Sequence, residues 1–556
     1  MATETLRGGD AFIRLLRDEG VTHLFGNPGT TELGIMESVA HRPDLRFVLG
    51  LQESCVVGMA DGFARASGRL VACNLHAAPG LGNAMGALYS AKFSGSPMIV
   101  TAGQQETGHG LQEPMLYAPL VPIAQPLVKW AIEVPRLADL PRIVHRAAKV
   151  ALTAPMGPVF LSLPGDVMDG TGELDLGQPT RVEHRVRPAD AVLAQLASRL
   201  LQAQRPVIIA GREVAAGDAF AELAHLAELL GAGVFHEPIP YNARFDTGHP
   251  LFLGDLTRNQ QTARALLEPF DLVVCIGADL LRMSVHSAVD PLPAGMPVVH
   301  LSNRDWELGK NHATELAICA DVTETLRALL PLLSSGRSAS YAQAASQRAA
   351  ALGERNWGAR AEAARTKLRS APAATPIEAA WLMMTLADVL PRDAIVVEEA
   401  LTAAPALSTF LSVHSPTGFY GLASGGLGFA LPGAVGISLA HPGRPVVAAV
   451  GDGSAMYGVQ ALWTAAQQRL PITYVVINNG GYRILRERLL ARGRSRSFVG
   501  MEITEPPLDF VAMARGFGLP AVRVDEPGRL SGALQSAIAA GRPSLLDVVV
   551  ADPSRT

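Results

Sequence analysis

The segment Val447–Tyr482, VAAVGDGSAMYGVQALWTAAQQRLPITYVVINNGGY, constrains this chain more than any other. An apolar, β-branched run ends in Gly451-Asp452-Gly453 and a helical stretch follows; a second apolar run, Ile472–Ile477, then ends in Asn478-Asn479-Gly480-Gly481. That pattern reads as strand, crossover helix and parallel strand, with both strands stopping in oxygen-bearing side chains. Open parallel sheets bind ligands outside the carboxyl ends of their strands, so Asp452 and Asn479 are expected to face one crevice. A carboxylate, an amide oxygen and a nearby glycine carbonyl suit Mg2+, which takes oxygen donors and leaves positions for phosphates. The glycines let backbone approach an anion, and the helix start after Ser454 adds its positive end. Gly-Asp-Gly or Asn-Asn-Gly alone is ordinary turn chemistry. Both together, at the ends of adjacent strands, read as a clamp for a metal and a diphosphate.

With 556 residues, 48% of them hydrophobic and only 18% charged, the chain has material for three or four cores. A formal charge of −4 and no basic block argue against a nucleic-acid partner. Cys55, Cys73, Cys275 and Cys319 lack metal-ligand spacing and read as reduced thiols. The amino-terminal residues hold no apolar signal core and no uncharged run reaches membrane-spanning length, so a cytoplasmic protein with no membrane partner is expected.

The periodicity predicts an α/β protein of three doubly wound parallel-sheet domains. In the first, residues 1–175, the helix Ala11–Glu19 alternates with strands Val21–Phe25, Phe47–Leu49, Leu70–Asn74, Met98–Ala102 and Val159–Leu163. The second, 187–333, has strands Val207–Ala210, Gly231–Phe235, Leu272–Ile276 and Val298–Leu301 and no GxGxxG after a strand, so no dinucleotide is indicated. An Ala- and Arg-rich segment, 334–376, reads as a helical linker, and 377–556 carries the clamp.

GDG followed at this interval by NNGGY resembles the signature of thiamine diphosphate-dependent enzymes. The resemblance implies that Asp452, Asn479 and the carbonyl of Gly481 hold Mg2+ and through it the cofactor diphosphate, with Gly453, Ser454, Tyr482 and Ile484 also at the cofactor. It places a cofactor-activating carboxylate in the first domain, where the string from Leu51 to Gly62 supplies Glu53; without it, Glu53 is a helix-start glutamate. His76 follows a strand, where an imidazole can relay protons near neutral pH. Its surroundings, with Gly26-Asn27-Pro28-Gly29, Asn83-Ala84-Met85-Gly86 and Gly425-Gly426-Leu427-Gly428, look like the benzoylformate decarboxylase type of this family. On that likeness Leu427 keeps the two cofactor rings bent, the Gly425 carbonyl meets the aminopyrimidine, and Asn83 and Thr402 complete the cofactor contacts. Thr30 stands where the family has a serine for the substrate carboxylate, and His286 is the nearest candidate for a second histidine.

The implied activity is Mg2+-dependent, non-oxidative decarboxylation of a small-molecule 2-oxo acid to CO2 and an aldehyde, in a homodimer or homotetramer with active sites at the subunit interface. Carboligation similar to acetolactate synthase or benzaldehyde lyase, decarboxylation of a larger acid such as an acyl-coenzyme A, and noncatalytic cofactor binding are the alternatives. Gly421 and Arg488 stand where the family has aromatic residues, which bears on an aryl substrate. Arg486, Arg488, Arg492, Arg494 and Arg496 read either as a solvated stretch or as a lid for a second anionic group, and His109 as a loop residue that could reach the pocket.

Overall fold

The computed structural model describes residues 3–371, 373–493 and 497–555. Three six-stranded sheets carry the chain. Their central strands are short apolar runs, buried on both faces as parallel strands under helices must be, while edge strands such as Ala131–Glu133 and Leu316–Cys319 are partly exposed. Contacts gather into two compact units, one of Met1–Val182, Val396–Thr402 and Leu422–Thr556, the other of Glu183–Ile395 and Ala403–Gly421.

In the first unit one sheet has the order Arg46–Leu49, His23–Gly26, Val71–Leu75, Met98–Gln104, Pro158–Pro164, Ala131–Glu133, every pair parallel. Ala131–Glu133 was not expected from sequence: three half-buried residues give no period to read. An antiparallel pair, Glu4–Arg7 with Thr171–Leu174, ties the ends of this region together. The carboxy-terminal sheet sets Val446–Gly451 beside Ile472–Asn478, then Ser544–Val549 and Ala521–Val524, again parallel. Strand exits at Gly451, Asn478 and Val549 therefore lie along one edge.

Two helices bring these halves of the unit together. Glu53–Ser67 crosses Ala430–Ala440 at glycines: a Cβ on Gly62 would stand 2.2 Å from the Gly433 carbonyl oxygen, and one on Gly436 1.9 Å from that of Met59. Only backbone fits there. Glu53 and the Gly425–Gly428 loop thus sit at the ends of two helices in direct contact.

The second unit is built on Phe252–Asp255, Gly233–His236, Pro206–Ala210, Leu272–Ile276, Val298–Ser302 and Leu316–Cys319, all parallel and in that order. The helices Ala339–Gly353 and Trp357–Ser370 pack on it, with Leu352, Trp357 and Ala361 in its core. Among the described residues no helix is long and apolar enough to cross a membrane. Cys55, Cys73 and Cys275 are buried free thiols, and Cys319 is exposed.

Candidate active site

The strand exits at Gly451 and Asn478 open into a cavity of ≈ 250 Å³. Thr402, Leu427, Asp452, Gly453, Ser454, Asn479, Gly481, Tyr482 and Ile484 all line it. Asp452 is buried, and its Oδ2 accepts from the amides of Gly480 (2.7 Å) and Gly481 (3.0 Å) while Oδ1 accepts from Gly453 (2.8 Å). The carboxylate thereby folds the second strand exit onto the first. Burial pushes its proton affinity up, against the pull of these amides. Asn479 Oδ1 and Ser454 Oγ are buried without a hydrogen-bond partner among the described residues. Such orphaned oxygens are costly unless something polar satisfies them. The Gly481 carbonyl accepts from Arg483 N at 3.0 Å and keeps a second lone pair.

No group of three or more His, Cys, Asp or Glu placed to hold a metal ion exists among the described residues. One carboxylate, one unpartnered amide oxygen and a carbonyl are a poor transition-metal site but fit Mg2+, which relies on few protein ligands plus phosphate oxygens. The Ser454 hydroxyl and the start of its helical turn suit the phosphates themselves. The residues present fit a Mg2+-diphosphate.

Leu427 is held from behind. Buried Glu399 accepts from the amides of Gly428 (2.7 Å), Phe429 (2.9 Å) and Ala430 (2.7 Å), capping the helix Ala430–Ala440 and fixing the preceding loop. Burial outweighs those amides and pushes Glu399 up to about 7. Gly425 has φ +81, a conformation glycine adopts without strain, though it is not among the cavity-lining residues.

A second group gathers around the first turn of the helix Ala77–Ser94. Glu53 opens its own helix, capped by Gln52, and accepts from Asn83 Nδ2 at 3.0 Å. A Cβ on Gly80 would lie 3.3 Å from Glu53 Oε1 and 3.6 Å from His76 Cβ, so that glycine keeps the two side chains close. His76 Nδ1 lies 2.8 Å from Glu32 Oε2. Glu32 is fully buried, and its carboxylate also accepts from Gly29 N (2.8 Å), Gly103 N (2.9 Å) and Thr31 Oγ1 (2.7 Å). Four donors call for an acceptor-only partner, so the imidazole gives Nδ1–H to Glu32 and turns Nε2 outward. Ala77 and Leu401, beside His76 and Thr402, both have φ 47, which strains a residue with a Cβ and is found where a site over-determines the backbone.

Glu32, Glu399 and Thr31 escaped the sequence reading. Glu32 stands three residues after Gly29, a spacing that would have flagged it. Thr30 is exposed, and Thr31 is the hydroxyl near His76, at 3.2 Å. His286 is exposed in a loop of the second unit. His109 is half exposed, 3.7 Å from Glu106. Of the arginine stretch, Arg486 is fully buried, neither solvated nor lid-like, because the chain end packs over it; Arg488 and Arg492 are exposed, and Arg494 and Arg496 lie outside the described residues. Gly421 cannot carry an aromatic wall: the Pro240 carbonyl oxygen would be 2.1 Å from its Cβ.

Fold and site together define an α/β protein whose strand exits open into a cavity that fits a metal-diphosphate cofactor. Three thiamine pyrophosphate enzyme profiles match: the N-terminal TPP binding domain over 6–116, the central domain over 193–329 and the C-terminal TPP binding domain over 403–548. The chain belongs to the thiamine pyrophosphate enzyme family. It is 36% identical to a benzoylformate decarboxylase of Pseudomonas aeruginosa, over 97% of this chain and 98% of that one. Acetolactate synthase 1 of Oryza sativa subsp. japonica is 26% identical, over 98% of this chain and 85% of that one. A thiamine diphosphate-dependent 4-hydroxybenzoylformate decarboxylase structure from Rhodococcus jostii RHA1 superposes with TM-score 0.87 at 32% identity, covering 99% of this chain and 100% of that one. A benzoylformate decarboxylase structure from Polynucleobacter necessarius gives 0.87 at 30% identity and 99% of both chains. Its whole-length likeness is thus to carbon–carbon lyases that act on 2-oxo acids.

Proposed function

We propose that the chain is a Mg2+- and thiamine diphosphate-dependent decarboxylase of an aryl 2-oxo acid of the benzoylformate type, releasing CO2 and an aldehyde. The observation that carries this reading is the unpartnered Asn479 amide oxygen beside Asp452, in a cavity that continues onto apolar side chains. When bound, the cofactor supplies an electron sink for the carbanion that departing CO2 leaves behind. The protein's part is binding, orientation and proton transfer. Asp452, Asn479 and the Gly481 carbonyl would hold the metal, with Ser454 and Gly453 at the diphosphate. Leu427, fixed through Glu399, would support the cofactor rings. Glu53 would accept a hydrogen bond from the aminopyrimidine and so govern its proton. His76, its Nδ1–H held by Glu32, would take up a proton at Nε2 and pass it to the product carbon, which favours aldehyde release over ligation. Thr30 would orient the substrate carboxylate. This reading gives no role to His286.

Tyr457, Tyr482, Ile484 and Leu485 line the cavity and offer aromatic and aliphatic surface to an aryl group, replacing what Gly421 and Arg488 do not provide. Arg486 is buried away from any substrate, which weakens the case for an acyl-coenzyme A.

None of the residues lining the metal cavity comes from the region before Val182, although Glu53 and His76 both do. We therefore assign the complete site to two copies of the chain, one giving the Glu53 group and the other the metal group. The exposed apolar side chains Leu51, Tyr89, Met456 and Tyr457, beside both groups, are surface a second copy would cover. A homodimer is then the smallest active form, and a tetramer a pair of dimers. Buried free thiols agree with a reducing, cytoplasmic setting.

The test is Glu53→Gln. Turnover should fall about 10²–10⁴-fold, while calorimetry still detects thiamine diphosphate binding in the presence of Mg2+. Turnover at the parental rate would overturn the assignment. Product analysis with added aldehyde separates release from ligation.

A further inference from the structure

Arg486 belongs to no part of the site described so far, yet it is one of the largest fully buried side chains in the protein. It lies on the helix Arg483–Ala491, directly behind Gly481, whose carbonyl would hold the metal: a Cβ on Gly481 would stand 2.7 Å from Arg486 Nη1. Its guanidinium is committed on every side. Nε donates to Ser554 Oγ (3.0 Å), Nη1 donates to the Met501 carbonyl (2.8 Å) and to Glu502 Oε1 (3.2 Å), and Nη2 donates to Asp552 Oδ2.

These partners come from two segments distant in sequence that meet at the metal loop. Residues 501–503 run antiparallel to the loop: Tyr482 N donates to the Met501 carbonyl (2.9 Å) and Ile503 N to the Gly480 carbonyl (2.9 Å). The carboxy-terminal turn arrives because the strand Ser544–Val549 pairs beside Ile472–Asn478, so both exit at the same edge. From there Arg555 Nη2 donates to the Gly480 carbonyl (2.8 Å) and to Glu502 Oε2 (2.7 Å), and Asp552 accepts from Ser554 N (3.0 Å) and Ser554 Oγ (2.6 Å). Gly480 itself has φ +73. A glycine loop of this kind has many unbound conformations, so restraint from behind sets the entropy lost when a ligand orders it.

We propose that Arg486 is a positioning residue for the metal loop and that the carboxy-terminal turn Asp552–Arg555 is the latch that holds it, tuning Mg2+ and diphosphate affinity rather than chemistry. A charge bridge runs from the latch to the loop: Asp552 and Glu502 neutralise Arg486, Glu502 also holds Arg555, and Arg555 grips Gly480. The inference rests on reading Asp452, Asn479 and Gly481 as the metal-diphosphate loop.

The experiment compares the full-length protein with Arg555→Ala and Asp552→Asn, because Arg486→Ala removes a buried cation from two carboxylates and risks misfolding. Arg555 is partly exposed, so its truncation leaves the core intact. Two quantities are read on the apoprotein. Titration with thiamine diphosphate and Mg2+ should show Kd rising about tenfold in each variant, with kcat at saturating cofactor unchanged in both and the melting temperature unchanged in Arg555→Ala, whereas Asp552→Asn, which leaves the buried Arg486 with one carboxylate fewer, melts lower. Amide exchange should speed up selectively at Gly480–Arg483 and Met501–Ile503. Parental affinity together with parental exchange in those segments would overturn the latch, as would faster exchange spread evenly over the whole domain. If the parent protein binds no thiamine diphosphate, the cofactor reading fails, and the exchange arm still decides the latch.

Discussion

Glu32 shows how one side chain fixes the character of another. Its two oxygens receive four donors, and one of them is His76 Nδ1–H. Glutamine in its place would turn two N–H groups toward donors that need an acceptor. Glu32→Gln is expected to destabilise the protein by roughly 1–3 kcal/mol, and to cut turnover about tenfold or more by releasing the imidazole. Thermal melting and steady-state kinetics check both effects; unchanged turnover at lowered stability would reduce Glu32 to a structural role. Part of the candidate site was legible in the sequence because Asp452, Asn479 and His76 sit at strand exits that the hydrophobic pattern predicts, whereas Glu53 stood out only through the family resemblance. Glu399 and Arg486 were not legible, since what singles them out is burial among partners 15 or more residues away, and no periodicity encodes that; Glu32 has Gly29 and Thr31 close in sequence but meets His76 and Gly103 only in the fold. Arg486 in particular reads locally as one cation in a basic stretch.

At the scale of elements, the helix Ala430–Ala440 carries the Leu427 loop at its start and meets Glu53–Ser67 through glycines. Glu399 clamps that start. Its carboxyl is raised from the ordinary 4.5 to about 7, chiefly by burial. In the folded protein it therefore keeps its proton over a range in which the unfolded chain has lost it. Stability from this group is fully present below pH 4.5 and is lost as pH rises toward 7, by roughly 3 kcal/mol at most. Denaturant titrations across that range should slope downward for the parent and lie flatter for Glu399→Gln; parallel curves would contradict the assignment. Most strands followed from short apolar runs, and Leu272–Ile276 has the expected ends. Phe252–Asp255 and Leu316–Cys319 were missed because each is four residues long, the first carrying a glycine and the second partly exposed. The helices Ala339–Gly353 and Trp357–Ser370 are rich in alanine and arginine, so their apolar contacts are too sparse to read as a core-facing stripe, although Leu352 and Trp357 enter the second unit's core.

The whole molecule presents two chemical groups in one unit: carboxylates with an imidazole before Val182, and the candidate metal-diphosphate cavity built from Ala400–Thr402 and residues after Leu422. If one copy completes the other, Glu53→Gln and Asp452→Ala are each inactive alone, yet subunits dissociated and mixed should regain about a quarter of parental activity, since half the dimers then hold one intact site. No recovery on mixing, in a sample shown to exchange subunits, would mean that each chain builds its site alone. The central claim is chemical, and one measurement reaches it most directly: CO2 release by the purified protein, reconstituted with thiamine diphosphate and Mg2+, from benzoylformate and in parallel from pyruvate. Benzoylformate should be converted rapidly to benzaldehyde, pyruvate more slowly, and both activities should be lost on removing Mg2+. Absence of CO2 from either acid while the cofactor is demonstrably bound would contradict that claim.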